Sequence, residues 1–263
     1  MPDNIINVAI EAAKDAGLFL KNNIGNIKTI ERKYGQERNL VTEIDKGSEK
    51  IIIEKIKRYF PNHDILAEES GSRHASHSDY RWIIDPLDGT TNFTHGLPIF
   101  CVSIGIEKKG EIIIGVIYDP NLNEIFVAEK GNGAYLNDKN IHVSSISSLS
   151  DSLLVTGFPY NITENPNKAI ERFINFLYNS QAVRRMGSAA IDLAYVAAGR
   201  YEGFWEVALN PWDVAAGSLI VQEAGGIISD FSGKKFNVYC QEVLASNGLI
   251  HKEMISVFNK INQ

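Results

Sequence analysis

Apolar side chains recur at helical spacing from residue 4 to 22, at Ile5, Ile6, Ala9, Ala12, Ala13, Ala16, Phe19 and Leu20, which predicts an amphipathic opening helix. A second stripe, Ile44, Ile51, Ile52, Ile56 and Tyr59, follows Thr42 and is stopped by Pro61 and Asn62. Between them, residues 31–39 carry five charges (Glu31, Arg32, Lys33, Glu37, Arg38) and Gly35 without apolar periodicity. That arm reads as a loop or hairpin, and as a mobile lid over a site. A short strand at 64–67 then delivers Glu68 and Glu69. The run Trp82-Ile83-Ile84 reads as a buried strand that ends abruptly at Asp85.

Strand-like runs at 100–107, 112–118 and 125–129 follow, with Lys108-Lys109-Gly110 and Asn132-Gly133 as turns, which predicts an antiparallel meander. Beyond about residue 150 the pattern alternates: strand 153–156, helix 166–178, helix 188–198, strand 203–207, helix 213–224, strands 226–229 and 243–246, helix 250–259. The expectation is a layered α/β or α+β architecture. Residues 1–263 read as a single domain of two fused halves, with a soft boundary near 140–152 that carries no linker chemistry.

Composition narrows the classes. The charge balance of 26 basic against 32 acidic residues gives −6 with no long basic block, so direct nucleic-acid binding through a positive field is not expected. The longest apolar run, 112–118, is too short to cross a bilayer. Met1-Pro2-Asp3-Asn4 lacks a signal-peptide pattern, and the two cysteines, Cys101 and Cys240, show no metal spacing. A cytoplasmic protein with reduced thiols and no membrane partner is expected.

The candidate chemistry lies in Asp85-Pro86-Leu87-Asp88-Gly89-Thr90-Thr91 and in Trp212-Asp213-Val214-Ala215-Ala216-Gly217. Hard divalent cations such as Mg2+ take carboxylate and carbonyl oxygens together with a substrate phosphate. Asp85 and Asp88 can face one point if Pro86 and Gly89 turn the chain tightly there, and the Leu87 carbonyl adds an oxygen. The alternatives are turn and cap roles for Asp85 and Asp88, an N-cap for Asp213, a solvated carboxylate at Asp45 and a surface strand position for Glu206. His95 reads as a turn residue, and His63, His74 and His77 as solvated. Arg184 and Arg185 read equally as a subunit contact or as partners of acids on the same chain.

Residues 82–95 and 212–226 closely resemble the two signature segments of the inositol monophosphatase family, Mg2+-dependent and lithium-sensitive phosphatases. Leu40-Val41-Thr42-Glu43-Ile44-Asp45, Ala67-Glu68-Glu69-Ser70 and Gly187-Ser188-Ala189 fall where that family has its other site segments, so the resemblance spans nearly the whole chain. It implies a five-layer αβαβα sandwich, a homodimer, and two catalytic Mg2+ ions held by Glu68, Asp85, the Leu87 carbonyl, Asp88 and Asp213. It implies Glu68 rather than Glu69 as the catalytic glutamate, and Asp45 with Thr90 as the pair that orients and deprotonates the attacking water. Amides near Gly89 and Thr90 would receive the phosphate beside Asp88 and Asp213. Ser188, Ala189 and Glu206 would contact a sugar-like alcohol. Lys33 is offset by one position from the family's lysine, with Tyr34 in the aligned place. The implied reaction is hydrolysis of a small phosphate ester, foremost inositol 1-phosphate. Fructose 1,6-bisphosphate, histidinol phosphate and nucleotide 3′-phosphates are the rival substrates, and a binding role at the bacterial transcription machinery is the rival from another class.

Overall fold

Side-chain alternation along the central strands sorts this chain into layers. The computed structural model describes residues 4–32, 39–74 and 78–260. Helices α1 (Ile5–Asn23) and α2 (Glu43–Tyr59) form the outermost layer, joined through an antiparallel pair of short strands, β1 (Ile30–Arg32) and β2 (Leu40–Thr42). The second layer, among the described residues, is an eight-stranded sheet. It comprises β3 (Asp64–Ala67), β4 (Gly71–Arg73), β5 (Tyr80–Asp88), β6 (Cys101–Lys108), β7 (Glu111–Asp119), β8 (Glu124–Glu129), β9 (Ala134–Leu136) and β10 (Lys139–Ile141). Its order is β10-β9-β8-β7-β6-β5-β3-β4, antiparallel except for β3 beside β5. The predicted meander is its centre. A short helix, α3 (Thr90–Thr94), leaves the end of β5.

The chain then passes into a five-stranded mixed sheet made of β11 (Leu153–Thr156), β12 (Ala182–Arg184), β13 (Gly203–Val207), β14 (Ile227–Ser229) and β15 (Glu242–Ser246), ordered β12-β11-β13-β15-β14. Helices α5 (Ala189–Ala197) and α6 (Pro211–Glu223) lie between the two sheets. Helices α4 (Ala169–Asn179) and α7 (His251–Asn259) cover the outer face of the second. This is the five-layer αβαβα arrangement.

The layering follows from period two in the strands. Trp82 and Ile84 of β5 face α1 and α2, where Ala9, Ala12, Ala13 and Ala16 let the helices sit close. Ile83 points the other way, into the layer of α5 and α6, which also meets Val155, Phe204 and Ala245 of the second sheet. Both faces of both sheets are therefore apolar, and each fully buried Ile or Phe contributes about 1.5–3 kcal/mol. Gly105 and Gly115 pair across β6 and β7. A Cβ on either would come within 2.7 Å and 2.5 Å of Ala215 and Ala216 respectively. That close approach holds the start of α6, and Asp213 with it, against the central sheet.

Several expectations change in detail. The strand expected to end at Asp85 continues to Asp88 through a bulge between those residues, which is where a proline fits inside a sheet. The helix expected at 166–178 begins as a 3-10 turn (Pro166–Lys168) and turns α-helical only at Ala169, because Asn167 and Lys168 have positive φ. Asp213 is not the N-cap of α6: Pro211 takes the first position, as its fixed φ favours, and Asp213 stands in the first turn. His63 is not solvated. It stacks between Phe60 and Tyr80 at 4.8 Å and accepts the indole N–H of Trp82 at 3.0 Å, so burial lowers its pKa.

Candidate active site

One cleft of about 130 Å3 opens where the ends of β5, β13, α5 and α6 meet. Its wall includes Glu68, Asp85, Leu87, Asp88, Gly89, Thr90, Ser188, Ala189, Glu206 and Asp213. Every residue expected at the site except Asp45 thus lines it. Asp45 stands behind Thr90, whose hydroxyl donates to it at 2.9 Å.

The sequence builds each position locally. Thr42 caps α2, its hydroxyl accepting from the Ile44 amide, while its own amide donates to Asp45 at 2.8 Å. This reciprocal box fixes Asp45, which is 1 % exposed and so is no solvated carboxylate. Burial raises its pKa against the hydrogen bonds from Thr42 and Thr90. Gly89 has φ 100°, and a Cβ there would meet the Ile99 carbonyl at 2.8 Å. Only glycine turns the chain here, so that Thr90 begins α3 and its first amides lack helical partners. Glu68 lines the cleft, while the amide of Glu69 donates to Glu49 of α2 at 2.8 Å.

Asp88 is held by α5. The Ser188 hydroxyl donates to its Oδ2 at 2.6 Å and the Ala190 amide at 2.7 Å. The hydroxyl expected on the alcohol is therefore engaged with a carboxylate. Asp85 accepts the Leu87 amide at 3.0 Å, and Asp213 accepts the Asn210 amide at 2.7 Å.

Crowding of carboxylates dominates the electrostatics. Burial, then Glu68, Asp88 and Asp213, push Asp85 well up. Burial, Glu68 and Asp88 do the same to Asp213. Burial raises Asp88 to about 6, although the Ser188 and Ala190 hydrogen bonds oppose it. Burial raises Glu206 to about 8, opposed by Arg185. Neighbouring acids in a low dielectric resist ionising together unless cations join them. The donor set is all hard oxygen, which suits Mg2+ rather than a softer ion. Among the described residues no three acidic, His or Cys side chains stand close enough together to share one ion.

A family model described as the inositol monophosphatase family matches residues 1–263. The chain belongs to the inositol monophosphatase family. An inositol-1-monophosphatase of Synechocystis sp. is 45% identical over 249 residues, covering 95% of this chain and 86% of that protein. The Nus factor SuhB of Escherichia coli is 42% identical over 253 residues, covering 96% and 94%. The solved inositol monophosphatase of Anabaena (Nostoc) sp. superimposes with a TM-score of 0.88 at 43% identity, covering 97% and 95%. The cleft wall also holds residues that were not expected at the site, among them Asp192, Arg185, Gly157 and Ala208. Asp192 and Arg185 line the cleft beside Glu206. Gly157 backs the Glu206 carboxylate so closely that a Cβ would lie 2.2 Å from its Oε2. Ala208, at the cleft wall, has φ 60°, a strained angle for a residue with a side chain. The spacing of Asp192 four residues after Ser188 was the available signal. Residues 33–38, with Lys33, Tyr34 and most of the expected lid, and His77 lie outside the described residues.

Proposed function

We propose that the chain hydrolyses a small alcohol phosphate monoester with Mg2+, and inositol 1-phosphate ahead of other esters. The observation that carries this reading is one cleft holding Glu68, Asp85, Asp88 and Asp213 beside the Thr90–Asp45 hydrogen bond of 2.9 Å. When bound, two divalent cations supply charge neutralisation for the phosphate and acidify a water.

The chain's own residues do the rest. The Thr90 hydroxyl gives its hydrogen to Asp45 and so leaves its lone pairs to accept a hydrogen from the attacking water. As water oxygen bonds to phosphorus, that hydrogen passes to Thr90 and the hydroxyl hydrogen to Asp45, a relay version of general-base catalysis. The free amides at the start of α3 take the phosphate oxygens. The P–O bond to the alcohol breaks, its electron pair stays on the alcohol oxygen, which takes a proton from solvent water, and Asp45 releases its proton to solvent, leaving inorganic phosphate and free alcohol. Glu206 faces the alcohol across the cleft; two ring hydroxyls donating to it would draw its pKa down from about 8.

The test is phosphate release from inositol 1-phosphate in Mg2+ and in EDTA. Release that needs Mg2+ and is lost in a folded Asp88→Asn variant supports the reading. A folded Asp88→Asn variant with normal turnover sinks the metal assignment.

A second reading rests on the relative at 42% identity whose name is Nus factor SuhB. A binding role at the transcription machinery, with phosphatase chemistry secondary, is supported by that likeness and bears against the expectation of no direct nucleic-acid contact. Protein that turns over no phosphate ester in Mg2+ favours it. No helix among the described residues is long and apolar enough to cross a membrane.

A further inference from the structure

Helix α5 places a carboxyl group in the cleft that the reaction as derived does not use. Ser188 is the N-cap of α5, and Ser188 with the Ala190 amide pins that helix end to Asp88. Asp192 lies four residues on, hence on the same face and about one turn, ~5.4 Å, further along. It lines the cleft, is 1 % exposed, and its Oδ1 has no hydrogen-bond partner among the described residues. A buried carboxyl oxygen without a donor is costly, and native interiors rarely keep one unless it serves a purpose.

Its surroundings indicate the purpose. Glu206 is the acid that acts on it most strongly, and Arg185 is the cation that opposes them both. Arg185 makes no ion pair within 4 Å among the described residues, although it lines the same cleft. Glu206 is packed against Gly157, where a Cβ would come within 2.2 Å of its carboxylate. Two acceptors and one multi-donor cation therefore share the wall of one cleft, with hydrogen-bonding capacity that the protein leaves unused.

We propose that Asp192 is a specificity-determining residue which, with Glu206 and Arg185, forms a pocket for a polyol bearing adjacent hydroxyls. Asp192 and Glu206 each accept a hydroxyl hydrogen, and Arg185 donates to the hydroxyl oxygens. This rests on the phosphatase reading for the identity of the alcohol as a leaving group. A simple aryl or monohydroxy alcohol leaves the acceptors of this pocket unpaired.

The test uses the full-length wild type and Asp192→Asn with inositol 1-phosphate and 4-nitrophenyl phosphate in Mg2+, and the melting temperature of the metal-free proteins. We expect the ratio of kcat/KM for inositol 1-phosphate to that for the aryl ester to fall about tenfold in Asp192→Asn, mainly through KM for the inositol ester. The melting temperature is held or raised, because an unpaired buried carboxyl has gone. An unchanged ratio in a folded variant overturns the proposal, and so does an equal loss on both esters with a lowered melting temperature, which marks a structural residue. Ligand-observed NMR with myo-inositol, in the presence of Mg2+ and inorganic phosphate, separates this from the phosphatase reading. If neither ester is hydrolysed but wild type binds inositol about tenfold better than Asp192→Asn, the pocket stands and the phosphatase reading falls. Absence of inositol binding in wild type that hydrolyses neither ester overturns both.

Discussion

Replacing Glu206 by Gln should stabilise the metal-free protein at alkaline pH and do almost nothing in acid. Glu206 is 8 % exposed, and burial raises its pKa from 4.5 to about 8. At low pH the folded and unfolded chains both hold the proton, so the group is neutral to stability. Above 4.5 the unfolded chain releases its proton while the folded one keeps it, and stability falls until the folded group ionises near 8. With about 1.4 kcal/mol per unit, the deficit is below ~1 kcal/mol at pH 5, about 3 kcal/mol at pH 7 and about 5 kcal/mol at pH 9. Gln keeps the shape beside Gly157 and removes the titration. For a chain this long the gain at pH 9 corresponds to roughly 10–20 °C in melting temperature. Calorimetric or fluorescence melts of both proteins in EDTA, from pH 5 to 9, measure it. A difference between wild type and Glu206→Gln that is constant across that range, or that grows toward acid, refutes the reasoning about burial.

Three further outcomes follow from the geometry. Thr90→Val removes the hydroxyl but keeps the volume and should lower kcat about 100-fold or more with little change in KM, as expected for loss of a proton relay; stopped assays at saturating ester measure it. Asp45→Asn should match Thr90→Val, and the double variant should lose little beyond either, because the two act as one unit joined at 2.9 Å. Gly157→Ala must displace the Glu206 carboxylate, which a Cβ would approach to 2.2 Å, and so should cut the preference for inositol 1-phosphate over 4-nitrophenyl phosphate several-fold. An unchanged preference shows that Glu206 does not face the alcohol.

The long periodic elements were legible in the sequence because their reasons are local. Helices α1 and α2 carry their own stripes and, for α2, a Thr42–Asp45 cap; the meander carries alternation and turn residues. Strands β4, β9, β10 and β12 were missed because each has three residues and little burial, so neighbouring strands rather than their own pattern decide them. The bulge at Asp85–Asp88 and the first-turn place of Asp213 depend on where a proline sits relative to a partner strand or a helix start. At the site, the residues in the two signature segments were visible, whereas Gly157, Arg185 and Asp192 are defined by what faces them from other elements. His63 was misread because its stacking partners, Phe60 and Tyr80, lie on either side of it in the sequence and only the fold brings both to its ring.

The most direct measurement is kcat/KM, in Mg2+, for inositol 1-phosphate, fructose 1,6-bisphosphate, histidinol phosphate and 3′-phosphoadenosine 5′-phosphate side by side. With Glu206 and Asp192 holding the alcohol as proposed, inositol 1-phosphate should rank first, with all turnover lost in EDTA. A tenfold or greater preference for the bisphosphate or the nucleotide would contradict the assignment of that pocket, and turnover that persists without divalent metal would contradict the chemistry as a whole.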